Sequence, residues 1–240
     1  MVPIMYWVVT AMGIPSTIAI RVAFGTSLLV ILPTAISGTW MHNKKEVIHW
    51  RAVLILGLCG LIGALVGSTL ATHLNSEVLE KSFGGLLLAV ALWMGLGTIL
   101  ALPGKEGKLK DGLLLLAACG FPIGIITGLT GLGGGVFMVP ALVLALHFPM
   151  HIAIGTSIAS IIFTSLGGVI GYVVNGIGVH GLLPYSIGYV NLPIWLCLAA
   201  TSIPLAQLGA RGAHALPAKQ LRYIFIAVVV YMGLRMLGVF

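Results

Sequence analysis

The sequence predicts an all-α fold, a polytopic bundle of transmembrane helices built as two inverted-topology repeats with broken or re-entrant helices at a glycine motif. Three observations predict it. Mean hydropathy is +1.15, and 59% of the 240 residues are hydrophobic while only 7% are charged, too little charge to cover a water-soluble domain. Apolar runs recur along the chain, at 2–12, 17–40, 52–71, 83–102, 113–129, 137–148, 152–174, 190–209 and 223–239, and most are long enough for a hydrocarbon core of about 30 Å. One of them is broken by Gly131, Gly133, Gly134 and Gly135, and the piece that follows, 137–148, reaches only about 18 Å as a helix.

These runs leave room for about eight or nine crossings with short loops and for no separate soluble domain. The polar breaks between them are at 42–51, 72–82, 103–112, 175–189 and 211–222. A repeat joins the two halves. FMVPALVLALHFPMHIAIGTSIASIIFTSLGG in the second echoes MVPIMYWVVTAMGIPSTIAIRVAFGTSLLVILPTAISG in the first, which carries a few extra residues. Met1, Val2 and Pro3 answer Met138, Val139 and Pro140, Gly25, Thr26 and Ser27 answer Gly155, Thr156 and Ser157, and Thr34 answers Thr164. A later match sets Gly67 against Gly209 and Leu79 against Leu221. The expected organisation is a first transmembrane repeat at 1–103, a cytoplasmic linker at 104–112 and a second repeat at 113–240. In this register Met1 falls where a first glycine motif would just have ended, so the first repeat reads as lacking its first helix and that motif. Truncation, a misplaced start and a naturally shortened protein are all open.

Charge sets the orientation. The breaks at 42–51, 103–112 and 211–222 fall on one side and hold Lys44, Lys45, Arg51, Lys105, Lys108, Lys110, Arg211, Lys219 and Arg222, nine of the twelve Lys and Arg. Basic loops stay in the cytoplasm. The break at 42–51 corresponds by repeat to that at 175–189, which falls on the opposite side, so the repeats are inverted relative to each other, as in secondary transporters. Basic residues confined to short loops account for the net charge of +7 without nucleic acid as a partner. The partners expected are the lipid bilayer and a small-molecule anion; oligomeric state is not readable.

Broken helices at membrane depth are tolerated where the freed backbone faces protein or a watery cavity. Consecutive glycines let N–H groups turn toward a ligand at a helix N-terminus, which favours an anion; the other reading is close helix packing. Hydroxyls at Thr26, Ser27, Thr156 and Ser157 suit an oxyanion, and serve equally as interhelical glue, with Thr130, Thr127, Thr34 and Thr164 as weaker versions of the same. Arg21 and Arg235 are the charged residues inside apolar runs. Arg235 is read as snorkelling to the interface, whereas Arg21 either snorkels or raises anion concentration at the outer mouth.

The carboxylates Glu46, Glu77, Glu80, Glu106 and Asp111 all lie in polar breaks, which argues against a cation pathway or an acidic proton relay. His147 and His151 flank the turn after the short piece and are read as interfacial bystanders. Cys59, Cys119 and Cys197 stand singly in apolar runs, as packing residues, so neither a metal nor a cofactor is called for. Intramembrane proteolysis would need G-x-S-G and a histidine base, and Gly25-Thr26-Ser27-Leu28 and Gly155-Thr156-Ser157-Ile158 fail at the fourth position. The chain does not read as an enzyme.

GLTGLGGGVFMVPAL, followed by AIGTSIASIIFTSLGG and answered by VAFGTSLLVILPTAISG, resembles the TauE/SafE membrane permeases, the sulfite exporter family, over nearly the whole chain. The resemblance implies a multi-pass transporter of the prokaryotic cytoplasmic membrane. Its expected cargo is a small sulfur-containing anion, such as sulfite, thiosulfate, a sulfonate or a related organosulfur anion, moved by alternating access. An anion channel, or a permease for another small anionic metabolite, is the alternative. The substrate-binding residues expected are Gly133, Gly134, Gly135 and Thr130, with Gly25, Thr26 and Ser27 and Gly155, Thr156 and Ser157 from the two repeats, and Arg21.

Overall fold

The computed structural model describes residues 1–44, 48–99, 112–202 and 218–238. Its elements are α1 (Val2–Ala11), α2 (Ser16–Asn43), α3 (Trp50–His73), α4 (Ser76–Ile99), α5 (Leu113–Thr130), α6 (Gly135–Pro140) running into a π-helical turn (Ala141–Ala145), α7 (Met150–Asn175), α8 (Leu192–Ser202) and α9 (Ala218–Met236). Between α7 and α8 lies a two-residue antiparallel ladder, β1 (Ser186–Ile187) with β2 (Val190–Asn191). The sequence reading missed it; Gly188, with φ of 57°, makes the tight turn that pairs Ile187 with Val190.

Among the described residues four helices are long and apolar enough to cross a membrane, α2, α3, α5 and α7; the runs read at 83–102, 190–209 and 223–239 extend into residues outside the described ones. The first run became α1, with ten residues, and the short run became 135–145; at about 1.5 Å per residue neither reaches through a bilayer. The linker at 104–111 lies outside the described residues, as do Lys45, Glu46, Gly209 and Arg211.

Small residues bring the long helices together. Gly120, Gly124 and Gly128 line one stripe of α5, and a Cβ on Gly124 would sit 2.8 Å from the Gly60 Cα of α3, so the two backbones touch and van der Waals packing replaces the hydrophobic effect as the adhesive. Leu54, Leu58, Ile62, Val66 and Leu70 stand exposed on α3 at every fourth residue, the lipid-facing stripe of a membrane helix. α7 packs on α3 and α2. Gly57 meets Phe163 and Gly167 meets the backbone of Leu61, while Gly168 meets Leu28 and Gly25 meets Tyr172. Those contacts run α7 parallel to α3 and antiparallel to α2.

We call the end of the bundle where α2 begins the upper end. Among the described residues two separate apolar cores result. The upper one gathers Phe24, Leu28, Phe83, Tyr172 and Tyr189, with the Phe24 and Phe83 ring centroids 5.5 Å apart. The lower one gathers Leu56, Leu116, Ile123, Met138, Leu142 and Phe148.

Candidate functional site

The glycine motif lies between these cores. α5 ends at Thr130 because Gly131 takes a left-handed conformation, φ 68°, and returns its N–H to the Thr127 carbonyl at 2.9 Å. Gly133 and Gly134 are left-handed too, both at φ 74°, and the Gly134 carbonyl accepts from the N–H groups of Phe137 and Met138 to open α6. Three left-handed residues among four successive positions favour glycine over any side chain. The chain reverses there and descends through α6 and the π-helical turn to His147, itself at φ 58°. The His147 Nδ1 is buried without a hydrogen-bond partner, and His151 is exposed.

The turn is seated on α2 and α7 together. A Cβ on Gly133 would fall 2.9 Å from Ile31 Cδ1 and 3.6 Å from Ile161 Cγ2, and one on Gly135 would fall 2.8 Å from Ile161 Cδ1. Ile31 and Ile161 stand near the middle of their helices, so the break lies at mid-depth. Ser27 donates to the Gly131 carbonyl at 2.8 Å and lies 3.0 Å from its own Phe24 carbonyl. Tyr172 donates to the Gly128 carbonyl at 2.8 Å. Thr127 and Thr130 turn their hydroxyls back to the carbonyls of Ile123 and Ile126, with the Thr127 hydroxyl also packed against the Cα of Gly134 on the side where a Cβ would go.

Of the residues expected in the site, the structure therefore brings Thr130, Gly133, Gly134 and Gly135 together with Ser27, and sets Gly25 about half a turn above Ser27, against Tyr172 and the Tyr189 carbonyl. Gly155, Thr156 and Ser157 lie lower on α7, about one and a half turns below Ile161. Arg21 is near the upper end. Its guanidinium donates to the Tyr189 hydroxyl at 3.2 Å and to the Leu74 carbonyl at 3.1 Å, stands 5.7 Å from the Tyr189 ring centroid, and leaves Nε buried without a partner. A cavity of about 190 Å³, lined by Leu74, Leu79, Phe83, Ile126, Leu129 and Thr130, opens beside the start of the motif.

The two threonines of the GTS segments have matching partners. Thr26 Oγ1 accepts the backbone N–H of Asn191 at 3.0 Å, and Thr156 Oγ1 accepts that of His49 at 3.1 Å. Asn191 directly precedes α8, and its Oδ1 caps the N–H of Ile194 at 3.0 Å; His49 directly precedes α3, and its Nδ1 caps the N–H of Ala52 at 3.2 Å. Other details follow the same correspondence. Pro15 and Pro149 cap α2 and α7 with φ/ψ of −53°/141° and −57°/140°, Ser27 and Ser157 contact the carbonyl three residues back, and so do Thr34 and Thr164. Sequence reasoning missed His49 and Asn191. The signal was present, because the register that sets Gly67 against Gly209 also sets His49 against Asn191.

Among the described residues the carboxylates are Glu77 and Glu80, both at the start of α4, where Glu77 pairs with Lys81 and Glu80 accepts the Tyr6 hydroxyl. The bundle's middle carries hydroxyls and bare backbone but no described acid.

A glycine break held between two long antiparallel helices, in a chain with four helices long and apolar enough to cross a membrane among its described residues, defines a multi-pass helical membrane protein. The chain belongs to the TauE/SafE family, described as "Sulfite exporter TauE/SafE", whose match extends over residues 1–236. It is 32% identical over 236 residues to a "Probable membrane transporter protein" of Methanocaldococcus jannaschii, covering 98% of this chain and 85% of that one. A protein of Haemophilus influenzae with the same description is 28% identical over 245 residues, covering 98% and 88%, and the probable membrane transporter YunE of Bacillus subtilis is 25% identical over 256 residues, covering 100% and 89%. No solved structure matches. Family and relatives alike are described as transporters and not as enzymes, and these archaeal and bacterial relatives set the chain in a prokaryotic cytoplasmic membrane.

Proposed function

We propose that this protein is a secondary transporter of a small sulfur-containing anion, of the class of sulfite, thiosulfate or a sulfonate, working by alternating access. The observation that carries the reading is the mid-depth break at Gly131 to Gly134, seated between Ile31 of α2 and Ile161 of α7. Backbone N–H groups freed by such a break are useful to an anion and costly to leave bare in hydrocarbon. The family's description as a sulfite exporter supports the sulfur oxyanion class.

In this reading α5 and the piece 135–145 form a re-entrant hairpin. Residues 1–103 and 113–240 are inverted repeats joined at 104–112, with the lower end cytoplasmic because the basic loops gather there. The reciprocal threonine bonds and the antiparallel α2 and α7 support the inversion. The anion is held at Gly133, Gly134 and Gly135 with Thr130 and Ser27 beside them, while Gly25 and Thr26 line its path from above and Gly155, Thr156 and Ser157 line its path from below. Arg21 concentrates anions at the upper mouth.

Flux of radiolabelled sulfite and thiosulfate into proteoliposomes tests this. Saturable flux that stops when the imposed ion gradients are collapsed is expected. Saturable flux that persists without any gradient at all would point to a channel instead.

A further inference from the structure

The two matching threonine bonds have a consequence that the anion site alone does not require. Each joins the halves of the chain crosswise, since Thr26 of the first half holds the start of α8 in the second, and Thr156 of the second holds the start of α3 in the first. Their heights differ. Gly25 meets Tyr172 and Gly38 meets Ile158 across the antiparallel pair, which sets the two bonds about 20 Å apart along its axis. The glycine turn rests between them, on Ile31 and Ile161, each five residues inward from its threonine.

We propose that Thr26–Asn191 and Thr156–His49 are two latches, upper and lower, that release in turn, and that His49 and Asn191 are positioning residues which present their backbone N–H groups to the opposite repeat. This rests on the transporter reading above. Rocking one half against the other moves α2 relative to α8 and α7 relative to α3, so opening the upper end stretches the first bond and opening the lower end stretches the second. A single hydroxyl-to-amide bond is suited to this, because water entering on the open side replaces it.

The bases of the two latches differ. Asn191 is built into the hairpin, its amide donating to the Pro184 carbonyl at 3.1 Å and to Ser186 Oγ at 2.9 Å. The ring of His49 instead stands edge-on to Phe148, 5.5 Å between centroids, at the foot of the descending piece. The upper latch is thus tied to the β-ladder, and the lower one to the segment that carries the glycine turn.

The test uses the full chain with Cys59, Cys119 and Cys197 replaced by Ala and a reporter, Ile31→Cys, beside the turn, in right-side-out and inverted membrane vesicles. A membrane-impermeant maleimide is added to each. Thr26→Val removes the upper acceptor at equal size and is expected to raise labelling several-fold from the upper side alone; Thr156→Val is expected to raise it from the lower side alone. Thr26→Ser and Thr156→Ser restore the acceptor and the parental pattern. If a valine variant does not fold, alanine at the same position removes the same acceptor. Equal changes from both sides, or no change, would overturn the latches. Anion flux of the unaltered protein is measured in parallel, because side-specific labelling without flux would retain the latches and reject the substrate class, whereas flux without side-specific labelling would do the reverse.

Discussion

Ser27 donates a hydrogen bond to the carbonyl of Gly131, 104 residues further along the chain, at 2.8 Å. The bond fastens the GTS segment of α2 to the first left-handed residue of the glycine turn, within the buried interior. Removing the hydroxyl leaves a buried carbonyl short of its donor, which costs about 1–3 kcal/mol. Ser27→Ala is therefore expected to lower thermal stability in detergent by that amount and to reduce anion flux, while Ser27→Thr, keeping the donor, does less harm to both.

Gly134 is held by two independent constraints. Its φ of 74° disfavours an L side chain by about 1–2 kcal/mol, and a Cβ would collide with the Thr127 hydroxyl. Gly134→Leu is expected to abolish flux in a protein that still elutes as a folded species. The two constraints separate in a double variant: Thr127→Ala removes the collision and recovers part of the stability lost in Gly134→Ala, with the backbone strain remaining. Near-normal flux in Gly134→Leu would dismiss the turn as the anion site.

Arg21 bridges the Tyr189 hydroxyl and the Leu74 carbonyl from near the upper end. As a concentrating charge it acts before binding, so Arg21→Gln is expected to raise the apparent KM for the anion several-fold with a smaller change in maximal rate. Added salt screens such an attraction within about 8–10 Å. The difference in KM between the two proteins should shrink as ionic strength rises, and a constant ratio would make Arg21 a structural brace only.

The long helices were legible because their apolar runs are continuous and their ends carry proline or polar residues, as at Pro15 before α2 and Pro149 before α7. The turn at Gly131 to Gly134 was legible for the same chemical reason, glycine clustered where a span should continue. What stayed hidden was how each GTS hydroxyl is used. Thr26 and Thr156 bond to amides of Asn191 and His49 that are 165 and 107 residues away, and no local pattern encodes a pairing at that range. The hairpin at Ser186 to Asn191 was equally obscure, since two residues per strand leave no alternation to read.

Among the described residues the apolar interior is divided in two. Phe24, Leu28, Phe83 and Tyr172 belong to one cluster and Leu56, Leu116, Met138 and Leu142 to another, with no member in common. Damage in one is then insulated from the other. Truncating Leu28 and truncating Leu142 each opens a void with its own cost, about 2–5 kcal/mol for Leu→Ala in a packed interior, and the two losses should sum in the double variant to within about 0.5 kcal/mol. Each cluster is then a separate reserve of stability, and a void opened in one leaves the packing of the other as it was.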